Sequence, residues 1–261
     1  MINGKVKIVM LITGVLFSGF YQCGPKKKSA PILSSQQIDS LNKRILEHSR
    51  YHIECYDTLL GIELKAGGSP NARDTAGVPA IVLAANEAHA VSQVSILLKY
   101  GADVNASGKD SMTALHAAAS QADTAITMEL LKWHANPNIR DTAGATPLMY
   151  AVMVGVWGDY SMGMFVVKML INAGADINAI DKGKMTVLQY ACNMKGSYDI
   201  GFEEQRLKIV QLLLDKGADV TVRNTHGLTA LDMAKILGKS DLIALIREYS
   251  KKQSSAGKTK K

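Results

Sequence analysis

The chain has 261 residues, of which 47% are hydrophobic and 20% charged, so it can bury a sizeable core. Its low aromatic content of 6% favours packed helices and argues against an all-β fold. Its three cysteines are too few for a disulfide framework, and none of them has the spacing of a zinc or thioredoxin-like motif. We therefore expect an all-α protein that uses no cofactor and no metal.

The net charge of +7 is concentrated at the two ends of the chain. Residues 1–38 and 249–261 each contain five lysines and no acidic residue. The remaining 20 basic residues lie in residues 39–248 together with all 23 acidic residues, which gives this part a net charge of −3. Such a body lacks the basic face that phosphate contacts require, so the sequence predicts no nucleic-acid binding.

The first 22 residues have the layout of a secretory signal peptide, with a short basic start before an apolar stretch over residues 8–21. At about 1.5 Å per residue, a helix over this stretch would reach roughly 21 Å, which is short for a hydrocarbon core of about 30 Å. The chain is therefore expected to be exported. The alternative is an uncleaved signal anchor.

Cys23 directly follows this apolar stretch. The arrangement resembles the bacterial lipoprotein pattern, in which that cysteine is acylated and becomes the first residue of the mature chain. The residues before it, Phe20, Tyr21 and Gln22, depart from the small residues and the leucine that are usual there. The resemblance implies lipidation at Cys23, a membrane-anchored protein facing the periplasm or the cell surface, and a flexible tether over residues 23–37.

Two short motifs recur along the rest of the chain at the same intervals of 34, 33, 40 and 43 residues. The first is a variant of Gly-Ala-Asp-x-Asn, and its five copies begin at Gly67, Gly101, His134, Gly174 and Gly217. The second is a variant of Thr-x-Leu, and its five copies begin at Pro79, Thr113, Thr146, Thr186 and Thr229. Two markers with the same intervals predict a repeated structural unit.

Each unit has the signals of two helices joined by turns. Thr113 is placed to cap a short alanine-rich helix, and a leucine-rich second helix ends at a glycine such as Gly101, which favours a left-handed turn. One such helix pair cannot cover its own apolar face. Neighbouring pairs must therefore stack.

These units resemble ankyrin repeats, which have about 33 residues, a Gly-x-Thr-Pro-Leu-His opening and a Gly-Ala-Asp-Val-Asn close. The resemblance covers about residues 56–249. Pro79 replaces the usual threonine, Met149 and Gln189 replace the usual histidine, and His134 replaces the glycine of the turn. The resemblance implies an all-α ankyrin-repeat solenoid of stacked helix-turn-helix units with β-turn fingers.

The expected organisation follows from the repeat boundaries. A signal peptide over residues 1–22 and a tether over 23–37 precede an ankyrin-repeat domain over 38–250, and a disordered basic tail covers 251–261. The domain divides into a polar cap over 38–72 and repeats at about 73–106, 107–139, 140–179, 180–222 and 223–250.

The third and fourth repeats are about seven and ten residues longer than the second between their two helices. The extra residues lie around 155–165 and 196–202 and contain many of the aromatic residues of the repeats. Loops on a rigid scaffold often bind partners, so we expect two inserted binding loops. The alternative is that their aromatic side chains only pack onto adjacent helices.

In ankyrin repeats, partners bind the concave side formed by the fingers and the exposed positions of the first helices. Methionine recurs at these positions here, and flexible thioethers suit an apolar partner, although they could equally fill gaps between repeats. The resemblance and the insertions together imply a partner-binding surface made of Met112, Ser120, Gln121, Ala145, Met153, Val154, Trp157, Tyr160, Met185, Asn193, Met194 and Tyr198.

The sequence predicts no catalytic residue. His116 stands where ankyrin repeats use a histidine for hydrogen bonds in the turn, and Cys55 and Cys192 are expected to be buried free thiols. We therefore expect a protein-binding module, namely a scaffold or chaperone-like partner of an envelope protein. An inhibitor or immunity-type protein that blocks an envelope or secreted enzyme is the alternative. An enzyme that uses Asp159, Tyr160 and Asp199 is the alternative of another class.

Overall fold

The computed structural model describes residues 33–50, 54–87, 90–108, 110–157, 160–193 and 200–256. The expected signal peptide, Cys23 and most of the tether lie outside these residues. No helix in these ranges is both long enough and apolar enough to cross a membrane. The described residues form twelve helices: α1 (Ser35–Arg50), α2 (Glu54–Lys65), α3 (Ala80–Ala85), α4 (Val91–Lys99), α5 (Ala114–Ser120), α6 (Thr124–Lys132), α7 (Pro147–Trp157), α8 (Tyr160–Asn172), α9 (Val187–Asn193), α10 (Ile200–Asp215), α11 (Ala230–Ile236) and α12 (Ser240–Ala256).

The helices alternate between two stacked layers. Each odd-numbered helix contacts the next odd-numbered one, from α1 through α11, and we call these the inner helices. Each even-numbered helix contacts the next even-numbered one, from α2 through α12, and we call these the outer helices. Contacts therefore run mainly between adjacent helix pairs, which confirms the predicted all-α solenoid.

Inner helices α5, α9 and α11 begin at capped threonines, as the sequence predicts, whereas α3 follows Pro79 and the Thr146 hydroxyl before α7 forms no cap. The backbone N–H of Thr113 lies 3.2 Å from Nδ1 of His116, and the Thr113 hydroxyl lies 2.9 Å from the same nitrogen. In α9, the backbone N–H of Thr186 donates to Oε1 of Gln189 at 3.0 Å. Histidine and glutamine thus perform the same capping role three residues after the threonine.

The outer helices end in left-handed turns. Gly101, Gly174 and Gly217 have φ angles of 91°, 88° and 90°, and His134 at the same position has a φ of 61°. Glycine adopts this conformation at little cost because it has no Cβ. The prediction made from the Gly-Ala-Asp motif is confirmed.

The turn that precedes each inner helix forms a finger, and adjacent fingers are hydrogen-bonded through their backbones. The N–H of Thr142 in the third finger donates to the carbonyl of Asp110 in the second at 2.9 Å. The N–H of Lys182 donates to the carbonyl of Ala143 at 2.9 Å, which joins the fourth finger to the third. The fingers therefore form a continuous edge of the array.

The closing asparagines of the Gly-Ala-Asp motif join the repeats at a second edge. The side chain of Asn138 accepts from the N–H of Asp176 at 2.7 Å and donates to the carbonyl of Gly174 at 3.0 Å. Asn71, Asn105 and Asn178 make contacts of the same kind with the following repeat. The fifth copy has Thr221, whose N–H and hydroxyl bond Asp219 within its own turn instead.

A repeated core lies between the two layers. Leu97, Leu130, Leu170 and Leu213 occupy the same position in successive outer helices, and each is fully buried. Each contributes roughly 1.5–3 kcal/mol by its burial. The alanines of α5 are also fully buried, and their small side chains let neighbouring inner helices approach closely.

Two helices extend past predicted boundaries. Helix α1 begins at Ser35, before the predicted domain start at residue 38, because Ser34 and Gln37 form a capping box. Helix α12 continues to Ala256, into the segment from residue 251 that was expected to be a disordered tail. Lys252 pairs there with Glu248 at 2.6 Å, one helical turn earlier.

The expected inserted loop of the third repeat is helical over its described residues. The extra residues of the third repeat lengthen α7 to 11 residues and α8 to 13, compared with seven in α5 and nine in α6. Only residues 158–159 between α7 and α8 fall outside the described residues. In the fourth repeat, residues 194–199 lie outside them and α10 begins at Ile200. The apolar insertion of the third repeat is helical because α7 and α8 pack against each other.

Candidate functional site

Three predicted site residues form a row across the inner helices. Ser120, Met153 and Asn193 occupy the same position in α5, α7 and α9, seven residues after the threonine that precedes each helix. Helices that pack side by side are about 10 Å apart, so the row has roughly this spacing. The Met153 side chain is 37% exposed, and Ile236 extends the row on α11 with 70% exposure.

The fingers contribute the second part of this surface. Met112 and Met185 occupy matching positions just before α5 and α9, and both side chains are half-buried. The Met185 sulfur accepts a hydrogen bond from the Asn224 side chain at 3.4 Å. We use "inner face" for the surface formed by Met112, Ser120, Met153, Met185 and Asn193.

Ala145 does not belong to this surface, although it was expected there. It occupies the finger position between Met112 and Met185 but is only 7% exposed. The backbone carbonyl of Ala145 lies 3.2 Å from Nε2 of His116, and its N–H donates to Asp141. The residue therefore connects the second repeat to the third.

Two predicted residues at the end of α5, Ser120 in the row and Gln121 next to it, form hydrogen bonds within the scaffold. The Gln121 side chain donates to the carbonyls of Ala85 and Asn86 at 3.3 and 3.0 Å, at the end of the preceding inner helix. The Ser120 hydroxyl donates to the carbonyl of Ala117 at 2.8 Å. Val154 is half-buried. Gln121, Met153 and Asn193 are thus the exposed members of the predicted set among the described side chains, and Gln121 is bonded to the scaffold.

Four predicted partner-binding side chains cannot be placed. Trp157 ends α7 and Tyr160 begins α8, but their side chains are outside the described part of the structure. Met194 and Tyr198 lie entirely outside it. Their proposed role in binding stays a prediction.

Sequence reasoning missed two tyrosines beside the inner face. Tyr150 and Tyr190 occupy the same position in α7 and α9, and their hydroxyls donate to Oδ2 of Asp141 and Asp181 at 2.7 and 2.6 Å. Burial and the bonded carboxylate raise the pKa of Tyr150 to about 12 and raise that of Tyr190 as well. The sequence does contain a signal for these pairs, because in both repeats a tyrosine follows an aspartate after nine residues.

The two aspartates also hold their fingers. Oδ1 of Asp141 accepts the backbone N–H groups of Ala143 and Ala145, both at 2.8 Å. Oδ1 of Asp181 accepts the N–H of Met185 at 2.7 Å. Each tyrosine–aspartate pair therefore fixes a finger relative to its inner helix.

His116 has a structural role, as predicted. It is fully buried, and its ring meets the Tyr150 ring edge-on at 5.8 Å between centroids. Burial lowers the pKa of His116, and the contact with the Ala145 carbonyl offsets this only in part. The imidazole is therefore neutral at physiological pH and serves as a hydrogen-bonding link between repeats.

The arginines of the fingers are engaged with backbone carbonyls. Arg73 donates to the carbonyls of Gly77 and Ser107 at 2.8 and 2.7 Å. Arg140 donates to the carbonyl of Ile180 in the next finger. These guanidinium groups connect neighbouring fingers.

No group of three or more histidine, cysteine or acidic side chains that could hold a metal occurs among the described residues. Cys192 is a fully buried free thiol, as predicted, and burial raises its pKa to about 12, which keeps it protonated. The Cys55 side chain, Asp159 and Asp199 lie outside the part of the chain that the structure describes.

The repeat geometry agrees with a match to a known family. The sequence matches the family model for ankyrin repeats over residues 47–141, 81–162, 115–223 and 161–255. The chain belongs to the ankyrin-repeat family. Proteins of this family are interaction modules, so protein binding is the function class that membership implies.

Curated relatives share the repeats over limited stretches. The chain is 27% identical over 195 residues to SH3 and multiple ankyrin repeat domains protein 2 of Homo sapiens. This alignment covers 74% of this chain and 10% of the human protein. The chain is 36% identical over 106 residues to ankyrin repeat, SAM and basic leucine zipper domain-containing protein 1 of Dasypus novemcinctus, covering 41% of this chain and 20% of the relative. The Mus musculus protein of that name is 34% identical over 122 residues, covering 47% and 23%. The chain thus spans less than a quarter of each of these relatives.

Proposed function

We propose that this ankyrin-repeat protein is exported, held at a membrane and used to bind a protein partner through its inner face. The row of Ser120, Met153 and Asn193 on stacked inner helices is the observation that carries the binding part. A rigid, repeated edge of fingers lies beside this row because neighbouring fingers are hydrogen-bonded. Such an arrangement presents side chains at fixed spacing, which lowers the entropic cost of binding.

The proposed partner is an envelope protein, which this chain holds as a scaffold or in a chaperone-like manner. Occlusion of an envelope or secreted enzyme by the same face is the second form of this proposal. The identity of a captured partner distinguishes the two. A structural or transport protein supports the scaffold role, whereas an enzyme whose activity falls on binding supports inhibition.

The membrane part of the proposal rests on the apolar stretch over residues 8–21 and on Cys23 after it. A Cys23→Ala variant of the full chain should lose incorporation of labelled fatty acid and leave the membrane fraction. Cys192→Ala is the matched control, because that thiol is buried in the repeats. Retained label in Cys23→Ala, or membrane attachment with an unprocessed N-terminus, would contradict lipidation.

Crosslinking and affinity recovery from the native membrane fraction tests the binding part. Met153→Lys places a charge in the inner face, and the matched control Met128→Lys places the same charge on outer helix α6, where the side chain is 63% exposed. One stoichiometric partner should be recovered with the wild type and the control and be lost with Met153→Lys. Both variants should keep the wild-type circular dichroism spectrum. Equal recovery with both variants would exclude Met153 from the binding surface.

A further inference from the structure

The inner helices of four consecutive repeats carry no charged residue. This holds for the whole of α3, α5, α7 and α9. The outer helices of the same repeats carry charges, for example Lys99 in α4 and Glu129 in α6. A partner that lies across the inner helices of these repeats therefore meets a surface without formal charge.

Three charged residues of the third and fourth fingers, Arg140, Asp141 and Asp181, are engaged within the scaffold. Asp141 and Asp181 accept hydrogen bonds from backbone N–H groups and from Tyr150 and Tyr190. Arg140 is bonded to a backbone carbonyl of the next finger. A charged partner group buried here would lose its hydration without gaining an opposite charge, which is costly.

The exposed side chains of the inner face suit apolar groups. Met153 is 37% exposed, and Met112 and Met185 on the second and fourth fingers are half-buried. Methionine adapts its three side-chain torsions to the shape of an apolar partner. Ser120 and Asn193, on either side of Met153 in the row, supply neutral hydrogen-bonding groups.

The tip of the fourth finger has a different character. Lys182 and Lys184 are both exposed there, and neither forms a salt bridge with a described residue. The tip of the third finger presents Thr142 and Ala143 instead, which are uncharged. The uncharged inner helices are thus bordered by two positive charges at the fourth repeat.

We propose that the partner presents an uncharged apolar segment to α5, α7 and α9, with acidic residues directly beside that segment where it passes the fourth finger. The inference rests on the proposed function, because it specifies the chemistry of the partner of the inner face. The apolar segment supplies the buried contact, and the acidic residues pair with Lys182 and Lys184. This pairing is exposed, so it sets orientation and association rate more than affinity.

Selection of short random peptides displayed on phage tests the inference on the immobilised full chain. The recovered peptides should contain an uncharged apolar run followed or preceded by Asp or Glu. Their affinity should fall by about tenfold or more with Met153→Lys and by less than about twofold with Met128→Lys. Selection on a Lys182→Glu, Lys184→Glu variant should replace the acidic flank by Lys or Arg.

The outcomes separate this inference from the proposed function. Peptides that depend on Met153 but carry charges throughout would overturn the proposed chemistry and leave binding at the inner face intact. Peptides that respond to Met128→Lys instead of Met153→Lys would overturn the inner face as the binding site. An unchanged flank after the lysine reversal would overturn the pairing at the fourth finger. Failure to enrich any Met153-dependent peptide would overturn the inference as a whole.

Discussion

Replacing Gly144 by alanine should destabilise the protein more than the same substitution at Gly227. Both glycines occupy the same position of a finger, and their φ angles are 81° and 74°. Alanine at either position carries the cost of a left-handed backbone, about 1 kcal/mol. The two sites therefore share the same local strain.

The difference arises from the neighbouring finger. A Cβ at Gly144 would lie 3.0 Å from the backbone nitrogen of Lys182 and 3.3 Å from two backbone atoms of Asp181, whereas a Cβ at Gly227 would have nothing within 4 Å. Backbone atoms cannot move aside as a flexible side chain does, and the Lys182 N–H is bonded to the carbonyl of Ala143. Overpacking of this kind adds about 1–2 kcal/mol.

Thermal unfolding of the full chain, followed by circular dichroism, measures the difference. For a domain of this size, 1 kcal/mol lowers Tm by about 2–4 °C. Gly227→Ala should therefore lower Tm by about 3 °C and Gly144→Ala by about 6–9 °C. Equal losses at the two sites would refute the close contact between the third and fourth fingers.

Three further substitutions, one of them with a matched control, test contacts that hold the turns. The wild type should lose stability below about pH 6.5, because the lowered pKa of buried His116 makes the folded state bind fewer protons than the unfolded chain. His116→Gln should make this loss smaller. An unchanged pH profile of the urea midpoint would contradict this. Tyr150→Phe should lower the free energy of unfolding by about 1 kcal/mol at neutral pH, because it removes the hydrogen bond to Asp141. It should also reduce the loss of stability above about pH 10, because the raised pKa of Tyr150 stabilises the folded protein only while the phenol stays protonated. Parallel alkaline unfolding curves of the two proteins would argue against this. Asn138→Ala should cost about 1–2 kcal/mol in urea unfolding because it removes two hydrogen bonds to the next repeat, and Thr221→Ala, which removes only a contact within its own turn, should cost less.

Features that depend on a few adjacent residues could be predicted from the sequence. Thr113 before an alanine-rich helix and Gly101 after a leucine-rich one are complete local signals, and the structure places both as expected. The intervals between repeats then determine which helices stack. The sequence also indicates that α12 continues past residue 250, because Glu248 and Lys252 are one helical turn apart and can pair. We nevertheless predicted disorder there from the basic composition of the tail.

Features that depend on contacts between repeats could not be predicted in the same way. The partner of Asn138 is Asp176, 38 residues later, so the recurring asparagine indicates a turn without showing that it joins two turns. The exposure of side chains on the fingers could not be predicted either, since Ala145 is buried while Met185 at the same position is half-buried. Helix α7 is longer than the inner helix of the second repeat because it packs against α8. The spacing of the repeats shows only that residues are inserted, and we predicted a loop from it.

Site-specific photo-crosslinking tests binding through the inner face most directly. A photoreactive phenylalanine is introduced at Asn193 on inner helix α9, or at Lys168 on outer helix α8 as the matched exposed control, in the full chain in its native membrane. We expect a single crosslinked protein from position 193 and none from position 168. A partner that crosslinks from position 168, or equally from both positions, would contradict binding through the inner face.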